Sequence, residues 1–202
     1  MLLKRTFMLS TLCLAAAIYS PVVLADHQAY AVSILEESKS LLNRQVMRLI
    51  VQKDYKGLES LLTQVTDVNV ADVNGVRPVH YAAYMGSTDA INLLNKHGAS
   101  LSAATFGGWT TLHYAAHAGH VEMSNLLLSK GVPIEVKDTG GETALFYAVE
   151  NNRISVVQGL LANGANVNNG NNKGEMPLDV AKEHRYAPII ELLKKAGAKD
   201  DI

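Results

Sequence analysis

Beyond Ala25, the apolar positions of this chain recur at a fixed interval. Leu61-Leu62, then Ile91, Leu93 and Leu94, then Leu126-Leu127-Leu128 form successive clusters, and glycine closes the later ones at Gly98 and Gly131. Four columns keep one common 33-residue spacing: Gly75, Gly108, Gly141 and Gly174; Gly98, Gly131, Gly164 and Gly197; Val79, Leu112, Leu145 and Leu178; Ala82, Ala115, Ala148 and Ala181. A period of this length is the mark of a stacked repeat. Each unit predicts two helices. The first carries small residues such as Ala82 and Ala83, which let neighbouring helices approach closely. The second carries the large apolar side chains that fill the space between units, and its glycine accepts the left-handed conformation that ends a helix. A glycine near the start of each unit permits the positive φ of a tight turn. No unit can bury its own apolar face, so stacking stabilises the array.

The unit boundaries read 72–104, 105–137, 138–170 and 171–202. The clearest opening is Gly108-Trp109-Thr110-Thr111-Leu112-His113-Tyr114-Ala115-Ala116, and Arg77-Pro78-Val79-His80-Tyr81-Ala82-Ala83 and Met176-Pro177-Leu178-Asp179-Val180-Ala181 vary it. Pro suits the first turn of a helix, where its missing donor would be unpaired anyway. This opening resembles that of the ankyrin repeat over residues 72–202. The likeness extends weakly to 43–71, a degenerate first unit in which Lys53 replaces the mid-unit glycine. The resemblance implies an all-α ankyrin-repeat solenoid of about five helix–turn–helix units joined by β-hairpin-like loops. Residues 26–42, with Tyr30, Ile34, Leu35, Leu41 and Leu42 near helical spacing, are expected to form an N-terminal capping helix. Lys182, Glu183, Arg185, Lys194 and Lys195 mark the last unit as a polar cap.

The N-terminus reads differently. Lys4 and Arg5 precede an apolar stretch from Phe7 to Ile18, Pro21 breaks it, and Val23-Leu24-Ala25 offers a cleavage site. Only 15 residues separate Arg5 from Pro21, short of the roughly 20 a membrane span needs. Residues 1–25 are therefore expected to be a signal peptide cut after Ala25, which leaves no stable membrane anchor and places the mature chain in the periplasm or outside the cell. Cys13 would leave with it. The mature chain would then hold no cysteine, and no Asn lies in an N-glycosylation sequon, which favours a bacterial periplasm. Losing Lys4 and Arg5 from the 18 basic residues leaves 16 against 19 acidic ones. They are interspersed, so no basic surface recruits nucleic acid.

Catalytic chemistry finds little support. His113, His117 and His120 could share a helical face and hold zinc in a metal-dependent enzyme. However, His113 occupies the repeat-opening position also held by His80, and His120 follows the mid-unit glycine, so structural histidines are the expectation. There is no Gly-x-Ser-x-Gly elbow and no mature cysteine nucleophile. The Asn-rich run from Asn163 to Gly174 lacks the carboxylates of a calcium loop and spans an ordinary unit junction. No catalytic, metal or cofactor-binding residue is expected.

The resemblance instead implies binding of another protein by a concave face of hairpin tips and first-helix ends, the free chain being a monomer. Carried onto this sequence, that face holds Val73, Asn74, Val76, Tyr84, Met85, Phe106, Trp109, His117, Glu142 and Glu150. Trp109 and Phe106 are expected to project from one tip as anchors, aromatic residues being enriched at interface centres. The face is expected to turn acidic toward Glu142, Glu150 and Glu175. Such a module would occlude a periplasmic partner enzyme as an inhibitor or immunity-type binder, or support an envelope or stress-response enzyme as a scaffold.

Overall fold

Helix ends, more than helix interiors, set the geometry of this chain. The computed structural model describes residues 41–199. The expected signal peptide and all but the last two residues of the expected capping helix lie outside them. The chain divides into two units at residue 42, and the array described here belongs to the second.

Its helices run in pairs: α1 (residues 41–51) and α2 (Tyr55–Leu62), α3 (Pro78–Tyr84) and α4 (Thr88–Lys96), α5 (Thr111–Ala118) and α6 (Val121–Ser129), α7 (Ala144–Glu150) and α8 (Ile154–Ala162), α9 (Pro177–Glu183) and α10 (Ala187–Lys195). The first helices pack in one layer, α3 on α5 on α7 on α9. The second helices pack in another, α2 on α4 on α6 on α8 on α10. The fold is the all-α solenoid that the 33-residue period implies. Among the described residues, no helix is long and apolar enough to cross a membrane.

Three of the first helices, α3, α5 and α9, are closed at their N-termini by residues from one column. His80 Nδ1 accepts from the Arg77 N–H at 2.9 Å and His113 Nδ1 from the Thr110 N–H at 3.1 Å. Asp179 Oδ2 does the same for the Met176 N–H at 2.9 Å. Phe146 occupies this position in α7 and has no acceptor to offer, so the cap is made by Thr143 Oγ1, which accepts from the Phe146 N–H. Either arrangement satisfies donors that a helix start leaves unpaired.

Between the helices of each pair the chain must turn through a left-handed residue. Gly86 and Gly119 do so with φ of 67° and 93°. Lys53, Asn152 and Arg185 stand at the same position and adopt the same conformation, with φ of 55°, 55° and 59°. The turn thus survives the loss of its glycine, because packing on either side fixes the backbone at a cost of order 1 kcal/mol or more per residue.

The apolar seam lies between the second helices and the undersides of the first. Leu94, Leu127, Leu160 and Leu193 form one column of it, all essentially inaccessible to solvent, and Ala82, Ala115, Ala148 and Ala181 are buried with them on the first helices. Leu93, expected in this seam, is instead only half-buried and lines a shallow cleft with Tyr55, Glu59 and Lys96. The cleft lies between α2 and α4, so Leu93 faces the preceding unit at the rim of the seam, one step round the helix from the buried Leu94. Lys96 and Glu59 pair across that cleft at 2.7 Å.

Candidate functional site

The hairpins that join the pairs are built on a side-chain oxygen at the start of each unit. Asp72 Oδ1 accepts from the Asn74 and Val76 amides, Asp138 Oδ1 from those of Gly140 and Glu142, and Asn171 Oδ1 from those of Lys173 and Glu175. Asp and Asn suit this role because their short side chains reach backbone two residues on. Thr105 holds the equivalent place, and its single oxygen accepts only from the Trp109 amide, at 3.1 Å.

Adjacent tips are joined by a backbone bond at each junction, with Thr139 Oγ1 donating to Gly107 O and Asn172 Nδ2 to Thr139 O beside it. The Phe106 N–H donates to Asn74 O at 3.0 Å, Thr139 to Gly107 O at 3.0 Å, and Asn172 to Gly140 O at 2.8 Å. Gly75, Gly108 and Gly141 make room for this ladder. A Cβ on Gly75 would lie 2.7 Å from the Phe106 nitrogen, and φ there is 79°, so a larger residue would meet both a clash and a strained backbone. The ladder sets the residues just before each turn on one row: Val73, Phe106, Thr139 and Asn172. Val73 and Phe106 are 74% and 73% exposed.

Behind the tips runs an aromatic row that the site residues expected from sequence do not include. Tyr81, Tyr114 and Tyr147 recur at the same interval as the glycines, and that column is the signal by which they could be found. Trp109 settles into this row instead of projecting from its tip. Its ring lies 4.3 Å from Tyr147, 5.1 Å from Tyr114 and 5.5 Å from His117 between centroids. The indole N–H donates to Asp138 Oδ2 at 3.1 Å, and the Tyr147 hydroxyl donates to the same oxygen at 2.7 Å. Burial, reinforced by that bond, holds the Tyr147 phenol well above its ordinary pKa. Trp109 is thus half-buried, and the expectation that it and Phe106 project together holds for Phe106 alone. The reason is physical. A large flat side chain gains more by packing on two rings and satisfying its one donor than by standing in water.

The remaining expected residues fall as follows. Tyr84 and Met85 are exposed at the end of α3, with Tyr84 packed edge-on against Tyr114 at 6.5 Å. Asn74 is exposed and Val76 half-buried. His117 is half-buried, and its Nδ1 is enclosed without a hydrogen-bond partner. Glu150 is exposed at the end of α7. Glu142 is half-buried and shares the Asn171 amide group with Glu175, at 3.3 and 2.7 Å. The structure therefore brings Trp109, His117 and Tyr84 into one aromatic cluster through Tyr114. It sets Val73 and Phe106 on the tip row, and places Glu142 and Glu150 farther along the array. Val51, also absent from the expected set, is exposed at the α1 position equivalent to Tyr84.

Two of the three histidines with metal-ligand spacing, His113 and His120, are occupied by the fold. His113 accepts at Nδ1, as described, and its Nε2 donates to Glu142 O at 3.1 Å. His80 repeats the pattern one unit earlier, its Nε2 donating to Ala103 O at 2.9 Å. Each of these rings bridges its own helix cap to the next hairpin as a neutral imidazole. Burial lowers the pKa of both, that of His80 to about 4. His120 Nε2 lies 2.9 Å from Tyr84 O and ties α6 to the preceding pair. Among the described residues, no three potential ligands are grouped to hold a metal ion.

The Asn-rich junction is likewise structural. Asn168 Oδ1 accepts from the Lys199 amide and its Nδ2 donates to Gly197 O, as Asn69 does with Ser100 and Gly98. Glu135 accepts from the Asn166 amide and the Asn169 side chain.

A family model described as ankyrin repeats, in three copies, matches residues 46–138 and 131–202. No curated protein matches the chain. Ankyrin repeats generally serve as protein-binding modules without catalysis of their own. Paired helices, left-handed inter-helix turns, histidine caps and stacked hairpins agree with that match over most of the chain, which belongs to the ankyrin-repeat family.

Proposed function

We propose that the mature chain works outside the cytoplasm and binds another protein through the face made by its hairpin tips and the ends of its first helices. The observation that carries this reading is the pair Val73 and Phe106. Two apolar side chains stand largely in water on adjacent tips, where a turn requires nothing apolar, and Tyr84 and Met85 are exposed nearby. Exposed apolar residues gathered on one face mark an interaction site. The leader-like stretch up to Ala25 and the cysteine-free remainder support export.

The partner we favour is a periplasmic enzyme whose site the module occludes, with support of an envelope or stress-response enzyme as the alternative. Two measurements test the reading. N-terminal sequencing of the protein from cells is expected to begin at Asp26, and an intact Met1 on the mature protein would remove export. Partner capture from periplasmic extract is expected to fall at least tenfold in Phe106→Ala, and undiminished capture would remove this face. The captured enzyme then separates the two roles: lost turnover on adding the module means occlusion, whereas a raised Tm with turnover intact means support.

A further inference from the structure

The side chains along the binding face change character at one boundary in three independent columns. From the second unit to the fifth, the tip row runs Val73, Phe106, Thr139, Asn172. The row that follows each turn runs Val76, Trp109, Glu142, Glu175. The row at the first-helix ends runs Tyr84, His117, Glu150, Glu183. All three are apolar or aromatic in the second and third units and polar or acidic in the fourth and fifth. The backbone imposes no such division, since the left-handed inter-helix turn and the hairpin turn keep one conformation on both sides of it.

The nearby cations leave the acidic character centred on the fourth unit. Arg77, in the second unit, spends its guanidinium on the carbonyls of Asn69, Gly75 and Ala104. Arg153 donates to His117 O from the turn after α7. In the last unit Lys173 accompanies Glu175, and Lys182 and Arg185 flank Glu183. In the fourth, Glu142 has no cation in the adjoining turn and Glu150 has Arg153 three residues on, so two carboxylates face one arginine there.

Building on the proposed function, we infer that the segment gripped by this face is an extended stretch of the partner in which an apolar or aromatic residue is followed, in either chain direction, by lysine or arginine. The spacing comes from the packing. Neighbouring first helices lie about 8–10 Å apart, as packed helices do. The two steps from Tyr84 to Glu150 therefore span roughly 16–20 Å. An extended chain covers that in about five or six residues at roughly 3.3 Å each. The apolar side chain seats among Val73, Phe106, Tyr84 and Met85, where its burial supplies affinity. The cations lie over the carboxylates, where complementary charge fixes direction and speeds association.

Synthetic peptides test this directly. One carries a Phe-Leu pair, a five-residue Gly/Ser spacer and a Lys-Arg-Lys end, and a second has the same elements in reverse order. In two controls Glu-Asp-Glu replaces the basic end or Ser-Ser replaces the apolar pair. Trp109, the single tryptophan of the chain, reports binding by its emission, and anisotropy of labelled peptide checks it. At least one of the two full peptides is expected to bind tenfold or more tighter than either control. That preference for the basic end is expected to vanish in a Glu142→Gln, Glu150→Gln double variant with unaltered circular dichroism. Equal binding of the acidic-ended control, no binding of either full peptide at millimolar concentration, or a basic preference that survives in the double variant each overturns the inference. If the peptides fail while Phe106→Ala still abolishes capture of the native partner, only the segment chemistry falls. If both fail, the face itself falls.

Discussion

The seam between the helices and the row of tips are built on the same 33-residue interval and treat it in opposite ways. In the seam, Leu94, Leu127, Leu160 and Leu193 repeat one residue, each buried almost completely. On the tips, Val73, Phe106, Thr139 and Asn172 share a backbone position and nothing else. A column that keeps its character is one whose side chain the fold consumes. The tip row changes because a backbone bond serves the fold there at every junction, which leaves the side chain free to serve something else.

The contrast breaks most visibly in the seam. Leu127→Ala is expected to cost about 2–5 kcal/mol, the range for truncating a buried leucine, and to broaden the urea transition because each unit leans only on its neighbours. An unchanged midpoint would show that this column does not hold the stack together.

Acid probes another recurring element, the histidine cap. Folded His80 stays neutral until about pH 4, because burial disfavours its charged form, whereas in the unfolded chain it takes up a proton near its ordinary pKa of about 6.5. Its contribution is therefore complete above about pH 6.5 and is lost as pH falls toward 4, on the order of 3 kcal/mol in all. An imidazole NMR titration of His80 near 6.5 in the folded protein would contradict this.

Trp109 and Phe106 sharpen the comparison, because they sit on one tip and belong to different classes. Trp109→Ala removes ring packing on Tyr147 and a bond to Asp138, and is expected to cost about 2 kcal/mol of stability as well as any binding. Phe106→Ala is expected to change stability by less than about 0.5 kcal/mol while weakening partner binding at least about tenfold, roughly 1.4 kcal/mol. Equal losses of stability from the two would erase the distinction. Smallest of all, Glu150→Ala should shift affinity by less than about 1 kcal/mol, with an effect that fades as salt is added. A salt-independent loss would mean a buried charge contact instead.

How much of this is legible in the chain follows the same division. The glycine and alanine columns disclose the solenoid, because backbone sterics and close helix approach admit few residue types. Lys53, Asn152 and Arg185 look like broken turns in the sequence, yet they adopt the left-handed conformation that the surrounding packing demands. Trp109 defeats a reading by position because its closest ring partner, Tyr147, belongs to the next unit along. Tip position suggests exposure, and only the column of Tyr81, Tyr114 and Tyr147 hints at a place for the ring. Which residues meet a partner is less legible still, since an exposed side chain leaves no trace in the periodicity that encodes the fold.

The ladder between the tips has a mechanical consequence. On the helix side, neighbouring units are fastened by interlocked apolar side chains, each costing about 2–5 kcal/mol to remove. On the tip side the fastening is by hydrogen bonds, one backbone bond per junction with side-chain bonds such as Asn172 Nδ2 to Thr139 O beside it, each worth about 0.5–1.5 kcal/mol net. The array is thus a leaf spring with a stiff back and a compliant front. A partner of slightly different curvature loads the front first and is accommodated by spreading the tips, leaving the back intact. Hydrogen exchange should register this as faster opening at the Phe106, Thr139 and Asn172 amides than at Leu94 or Leu160. Equal protection at both sets would make the array a rigid beam.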